Sequence, residues 1–481
     1  MNTESQDINN LNIFADSGSF RDPSGRVFKF LENNSLRIIR GVTDQTFQEQ
    51  AELIDSQLYA SLVKEKKIVD TKPFKSTAML DSETQKSWPY FLEHAPIDLI
   101  TYPYEWTFGQ LKDAAILHLE ILKECLENGW IVKDSTPYNI QFVNNKPIFI
   151  DTPSITKWES GSGWDSYRQF CMMFLYPLML ESYLDIDFRV FLRSNLDGID
   201  PKTTFNIIGF RKIYKRGVFF HVYLPHKIEK NILAKERDTA AAKKRTNISH
   251  SKLSVIALVD SMLGIIKSLK VKSKVSVWGD YDHINTYEHD DNIKKQGFID
   301  SVTNNKKYNT VWDCGANTGL FSEHISGNAK KIIAMDGDIL AVEKMYQRLK
   351  SNDSNITPMV INLENMSPDH GFNASERTRL ELRSKPDLIM CLAIIHHIRI
   401  SANIPCDNFL SYLRSLNSEI IIEFVQRDDE MVKKLLLNKK EQYQDYNLEA
   451  FEDSINNYFS IEKTDTLKGG HRKIYHLIPN S

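Results

Sequence analysis

The chain has 481 residues and a mass of 55.6 kDa, more than one hydrophobic core of ordinary size serves, so two or three domains are expected. Hydrophobic residues make up 41% and charged residues 26%, which excludes a mostly disordered or fibrous protein. With 60 Lys+Arg against 63 Asp+Glu the formal charge is −3, so the whole chain is not built as a polyanion binder.

Met1–Asn12 is polar and lacks the basic start and apolar stretch of a signal peptide. The most apolar window, Cys171–Leu184, is broken by Pro177 and Glu181 and is too short to cross a bilayer. Cys125, Cys171, Cys314, Cys391 and Cys406 show no paired spacing. No disulfide framework or structural zinc site is expected, and the reduced cytoplasm is the expected location.

In chain order, Arg26–Phe30 and Leu36–Val42 read as a hairpin, followed by a helical stretch near Thr46–Lys64. A long helix is expected over Phe108–Glu127, stopped by Asn128-Gly129. Short strands Ile140–Val143 and Pro147–Ile150 flank the turn Asn144-Asn145-Lys146, and an apolar helix runs from Trp164 toward Leu180. Between Lys202 and Lys252 lie 13 Lys/Arg and three acids, with Lys243-Lys244-Arg245 near the end. This stretch reads either as a solvated connector or as a patch that holds an anionic partner. The domain junction is placed there, giving 1–230, a basic linker 231–252 and 253–481.

Beyond it, Ser254–Leu269 has apolar residues at helical intervals and is expected to pack on the following domain. Strands are expected at Thr310–Trp312, Lys331–Met335, Thr357–Leu363, Asp387–Ile395, Ile420–Val425 and Lys473–Ile478. Helical segments such as Ile339–Leu349 and Phe409–Leu416 alternate with them, which implies βαβ units and a mainly parallel sheet. The aromatics of Trp278-Gly279-Asp280-Tyr281 and Tyr287 are read as a pocket cap or as core.

The strongest local signal is Val311-Trp312-Asp313-Cys314-Gly315-Ala316-Asn317-Thr318-Gly319, a strand running into a glycine turn and then a helix. The next strand ends in Asp336, an acid suited to accept hydrogen bonds from ribose hydroxyls. Dinucleotide enzymes use G-x-G-x-x-G; the order here is D-x-G-x-x-x-G. That order resembles the first motif of class I S-adenosylmethionine-dependent methyltransferases. The resemblance implies a Rossmann-like seven-strand α/β domain with Asp313, Gly315, Asn317 and Gly319 in the cofactor loop and Asp336 on ribose. It implies that Asn362 and Leu363 lie where the family contacts adenine. His396-His397 matches a pair carried by many small-molecule members, and either imidazole suits proton removal from the acceptor. Glu423 is a candidate to orient the acceptor or a histidine.

A second signature lies in the first half. Asp134 and Asn139 have the D-x-x-x-x-N spacing of a kinase catalytic loop, and Asp151 follows a short hairpin. The arrangement resembles protein-kinase-like and aminoglycoside-kinase-like folds, an α+β architecture. It implies Asp134 as catalytic acid–base and Asn139 and Asp151 as magnesium ligands over ATP. The usual histidine before the first acid is absent, Thr152-Pro153 follows Asp151, and no phosphate-cradling glycine loop is present. Gly18, Gly25 and Arg40 are the nearest substitutes, with Glu52 expected to face Arg40. A degenerate domain that positions substrate or regulates is therefore expected. Together with Tyr102-Pro103-Tyr104-Glu105-Trp106 and Trp164–Phe170, these motifs resemble a bacterial group that includes nodulation-type methyltransferases.

The expected function is methyl transfer from S-adenosylmethionine to an O or N nucleophile of a small molecule or saccharide. The alternatives are a bifunctional kinase–methyltransferase using ATP and Mg2+, and a non-catalytic regulatory protein that keeps a cofactor pocket. Nucleic acid is disfavoured as acceptor, because no Asn/Asp-Pro-Pro-Tyr/Phe motif follows the fourth strand.

Overall fold

Two apolar periodicities produce two kinds of sheet. The computed structural model describes residues 13–33, 35–75, 80–236, 249–271, 286–437, 439, 442–467 and 469–480. Met1–Asn12, Lys243-Lys244-Arg245 and Trp278–Tyr281 lie outside the described residues, as does the side chain of Tyr287. The described chain forms two units. The first draws on 1–104, 110–272 and 369–377, the second on 105–109, 273–368 and 378–481.

In the first unit, β1 (Phe14–Ala15), β2 (Gly25–Glu32), β3 (Ser35–Val42), β4 (Thr71–Pro73) and β5 (Tyr90–His94) form an antiparallel sheet in the order β1-β2-β3-β5-β4. Alternation along β2 buries Phe28 and Phe30 against Ile39, Phe74, Leu80 and Phe91. The expected single helix after the hairpin is two, Asp44–Ile54 and Gln57–Lys64, because Ser56 caps the second through the Tyr59 amide. The helix Phe108–Glu127 forms as expected. It leads into β6 (Trp130–Val132), β7 (Ile140–Val143), β8 (Lys146–Phe149) and β9 (Ile155–Lys157), where β6 pairs with β9 and β7 with β8. Asn144 and Asn145 have φ of 50° and 61°, the left-handed pair that a two-residue hairpin turn requires.

In the second unit, β10 (Tyr308–Cys314), β11 (Ala329–Asp336), β12 (Ile356–Val360), β13 (Leu388–Cys391), β14 (Glu419–Val425), β15 (Phe459–Thr466) and β16 (Arg472–Pro479) form one sheet. Their order is β12-β11-β10-β13-β14-β16-β15, parallel through β14, with β16 antiparallel to both neighbours. Val311, Ile332, Met335, Leu388 and Ile421 are fully buried, as central parallel strands covered on both faces must be.

Three expectations need correction. The helix Lys252–Ser268 belongs to the first unit, not to the sheet domain: Lys112 Nζ donates to Lys267 O at 3.0 Å, and Lys123 pairs with Asp260 at 2.8 Å. β13 ends at Cys391, four residues earlier than its apolar run, because Ala393 takes φ 50° and turns the chain. β15 was not foreseen, since FSIEKTDT is polar and mostly exposed; it is the sheet's charged edge.

Candidate functional site

β10 and β11 end side by side, with Cys314 opposite Met335. The chain then turns through Gly315 at φ 77°, Asn317 at φ 49° and Gly319 at φ 90°. A Cβ on Gly315 would sit 2.9 Å from Ile394 Cδ1, and one on Gly319 2.8 Å from Met345 Sδ. Glycine is therefore required twice, by backbone conformation and by space. The amides of Gly315 and Ala316 donate to Met335 O at 2.8 and 2.9 Å, fixing the loop to the neighbouring strand.

Asp336 ties the loops together. Its Oδ2 accepts the Asn317 amide and its Oδ1 the Asp338 amide, both at 2.7 Å. Each carboxylate oxygen keeps a second lone pair. Burial pushes the Asp336 carboxyl up, while these backbone donors favour the ionised form. Asp313 is buried and accepts from Ser322 Oγ at 2.6 Å; desolvation pushes its carboxyl up to about 6. The third strand's exit completes the edge. Ile361 N donates to Asp336 O at 3.0 Å, Asn362 Oδ1 accepts the Glu364 amide at 3.0 Å, and a Cβ on Gly337 would lie 3.7 Å from Asn362 Cβ. Leu363 opens the short helix Leu363–Asn365 that follows. The structure thus gathers Asp313, Gly315, Asn317, Gly319, Asp336, Asn362 and Leu363 at the carboxyl ends of three adjacent strands, where open α/β sheets bind ligands.

His396 and His397 do not end a strand. They open the π-helical turn His397–Ser401, with ring centroids 4.1 Å apart. His396 is buried, and desolvation first, then His397, Arg472 and Lys295, hold its imidazole well below the ordinary value. It is neutral at pH 7, and its Nδ1 has no hydrogen-bond partner among the described residues. Glu423, on β14, is fully buried, with Lys295 Nζ 2.8 Å from one oxygen and an Arg472 guanidinium nitrogen 3.5 Å from the other. Arg472 also pairs with Asp429 at 2.8 Å. Sequence reasoning missed Lys295, Arg472 and Asp429. Lys295 sits in a polar helix, Thr286–Thr303, with no motif to mark it.

The first unit holds its own acidic cluster. Asn139 Nδ2 donates to Asp134 Oδ2 and to Asp151 Oδ2, each at 3.1 Å. Arg40, on β3, pairs with Asp151 Oδ1 and lies 3.9 Å from Asp22. Glu52 does not face Arg40; it pairs with Lys157 at 2.8 Å. Burial first, and the Asp151 charge second, push the Asp134 carboxyl up. Gly25 lies against the Arg40 stem, where a Cβ would sit 3.2 Å from Cδ, and Gly18 lies in the turn Ser17–Ser19. Among the described residues no group of three or more His, Cys, Asp and Glu side chains could hold a metal ion. With the Arg40 guanidinium on Asp151 the carboxylate's charge is already matched, so this cluster as arranged does not fit the magnesium site expected of Asn139 and Asp151.

No family model matches the chain. Solved structures similar to it include N-methyltransferase NodS from Bradyrhizobium japonicum WM9 in complex with S-adenosyl-L-homocysteine, with TM-score 0.31, 10% identity, and coverage of 44% of this chain and 94% of that one. Magnesium protoporphyrin IX methyltransferase (ChlM) from Synechocystis PCC 6803 with bound SAM gives TM-score 0.28 and 18% identity, over 41% of this chain and 86% of that one. Nodulation protein NoeA of Rhizobium meliloti (strain 1021) is 31% identical over 461 residues, which is 95% of both chains. Across nearly its whole length, then, the chain belongs to the family of nodulation protein NoeA.

Proposed function

We propose that this chain is an S-adenosylmethionine-dependent methyltransferase acting on an O or N nucleophile of a small molecule or saccharide. The observation that carries the reading is Asp336: one carboxylate bonded to the amides of two loops, with lone pairs left for ribose hydroxyls. Asp313, Gly315, Asn317 and Gly319 would line the cofactor's methionine end, and Asn362 and Leu363 its adenine. Bound there, the cofactor supplies an electrophilic methyl group on a sulfonium.

The residues of this chain do the rest. Transfer needs alignment of the acceptor and exclusion of water more than a strong base. His396, neutral and buried, accepts the proton that leaves the acceptor, and its lowered basicity keeps it competent well below pH 7. Glu423, held between Lys295 and Arg472, orients the acceptor through its hydroxyl or amine hydrogens. His397 lies beside His396 and packs against it.

The first unit is read as a kinase-like, degenerate domain with a positioning or regulatory role. The antiparallel five-stranded sheet, the long helix and the Asp134–Asn139–hairpin–Asp151 order support the likeness. Arg40 on Asp151 favours positioning over phosphotransfer with ATP and Mg2+. A screen with methyl-labelled S-adenosylmethionine over oligosaccharides, hydroxylated metabolites and amines tests the proposal. Label in a saccharide or small-molecule fraction supports it; label confined to RNA or protein contradicts it.

A further inference from the structure

The basic stretch from Lys202 onward has no part in the methyl transfer proposed above. Residues 209–230 carry six cations (Arg211, Lys212, Lys215, Arg216, Lys227 and Lys230) and one acid, Glu229. That acid is paired with Arg168. The same stretch exposes aromatic rings: Phe210 at 66%, Tyr214 at 75%, Phe219 at 41% and Phe220 at 66%.

Phe210, Phe219 and Phe220 form one patch with Tyr223, and Tyr214 lies in the same stretch of chain. Phe210 lies 6.1 Å from Tyr223, and Phe219 lies 5.7 Å from Tyr223 and 5.0 Å from Phe220. Cations are interleaved with them, Lys227 5.9 Å from the Tyr223 ring and Lys215 5.5 Å from Tyr214. Ile228, 56% exposed, lies on the same continuous helical run, Phe219 through Glu236. Scattered exposed apolar residues are ordinary; a contiguous aromatic patch rimmed by cations marks an interaction surface.

We propose that this face of the first unit docks peripherally on a bilayer that carries anionic lipid headgroups. Phe210, Phe220 and Ile228 would enter the boundary between headgroups and acyl chains, with the cations over the phosphates. Charge complementarity selects an anionic surface, and the apolar tips select a lipid one. An exposed aliphatic such as Ile228 offers a nucleobase no ring to stack on, whereas acyl chains accept it as readily as phenylalanine. No helix among the described residues is long and apolar enough to cross a membrane, so the contact is interfacial. The inference is independent of the methyl-transfer reading.

The test is co-sedimentation of the full chain with vesicles of phosphatidylcholine alone, or with about one-third phosphatidylglycerol. The protein should partition onto the anionic vesicles and not the neutral ones, and high salt should release it. The double variant Phe210→Ser/Phe220→Ser and the double variant Lys227→Glu/Lys230→Glu should each lower partition at least about tenfold. Both change exposed side chains, and unchanged thermal unfolding shows that the loss is not misfolding. Failure to bind anionic vesicles overturns the proposal, as does equal binding to neutral ones. A wild type that self-associates through this face, with both variants monomeric, also overturns it, by showing the patch to be a protein interface.

Discussion

Each unit builds a cluster around two aspartates, and the two clusters end in opposite electrostatic states. In the second unit the partners of Asp336 are backbone amides, which carry no net charge and are fixed by the sheet. In the first unit the partners of Asp151 are a guanidinium and a side-chain amide. A carboxylate held by amides remains an anionic acceptor for a ligand's hydroxyls. One held by an arginine has its charge matched before any ligand arrives. The same residue type is thus prepared for binding in one place and compensated in the other.

The comparison can be broken by removing the groups that set each state. The largest effect is expected from Lys295→Met, which strips a buried carboxylate of a cation 2.8 Å away. Breaking a buried pair from one side costs about 3–5 kcal/mol, so chemical denaturation should show a loss of that order. His396→Ala should lower the single-turnover methyl-transfer rate at least about 100-fold, the lower range for a lost general base. Rapid-quench kinetics with a found acceptor measures it. A wild-type rate flat between pH 6 and 8 is expected as well, because the imidazole is held well below its ordinary value.

Asp313 sharpens the comparison through pH. Its folded value is about 6 against 3.8 for the ordinary carboxyl. A raised carboxyl stabilises the fold at low pH, and that contribution is lost as pH rises through the folded value. Above about pH 6 the ionised, buried group costs of order 1–3 kcal/mol. Asp313→Asn should therefore raise the melting temperature of the ligand-free protein at pH 7.5 and leave it nearly unchanged at pH 4. Calorimetric melting of both proteins at both pH values checks the sign. The smallest effect is expected from Arg40→Gln. Its pair with Asp151 is mostly buried, the two side chains being 16% and 15% exposed, so the cost lies between that of a surface pair and a fully buried one, about 1–2 kcal/mol, with no change in cofactor affinity.

Much of the second unit was legible because its strands are apolar runs separated by amphipathic helices, and its loop is written in contiguous residues. Asp313 through Gly319 carry their own geometry: the glycines stand where positive φ is needed. The end of β13 was not legible, since Leu392 through Ile395 remain apolar after Ala393 has turned the chain. Nor was Lys295, because a lysine in a polar helix announces nothing until the fold brings Glu423 to it. The same holds for residues 369–377, which lie late in the sequence yet belong to the first unit: Arg21 pairs with Glu376 at 2.6 Å, and Arg377 sits 4.1 Å from the Tyr138 ring. In the first unit the helix, hairpin and acids could be read in order. The partner of Arg40 could not, because the choice between Glu52 and Asp151 depends on how a strand, a helix and a loop are arranged in space.

The central claim rests on Asp336, and isothermal titration with S-adenosylmethionine tests it most directly. The wild type should bind one equivalent per chain, and Asp336→Ala should bind at least about tenfold more weakly, a loss of ~1.4 kcal/mol. A wild type that releases no heat and binds no cofactor, or a variant that binds as tightly as the wild type, would contradict the account.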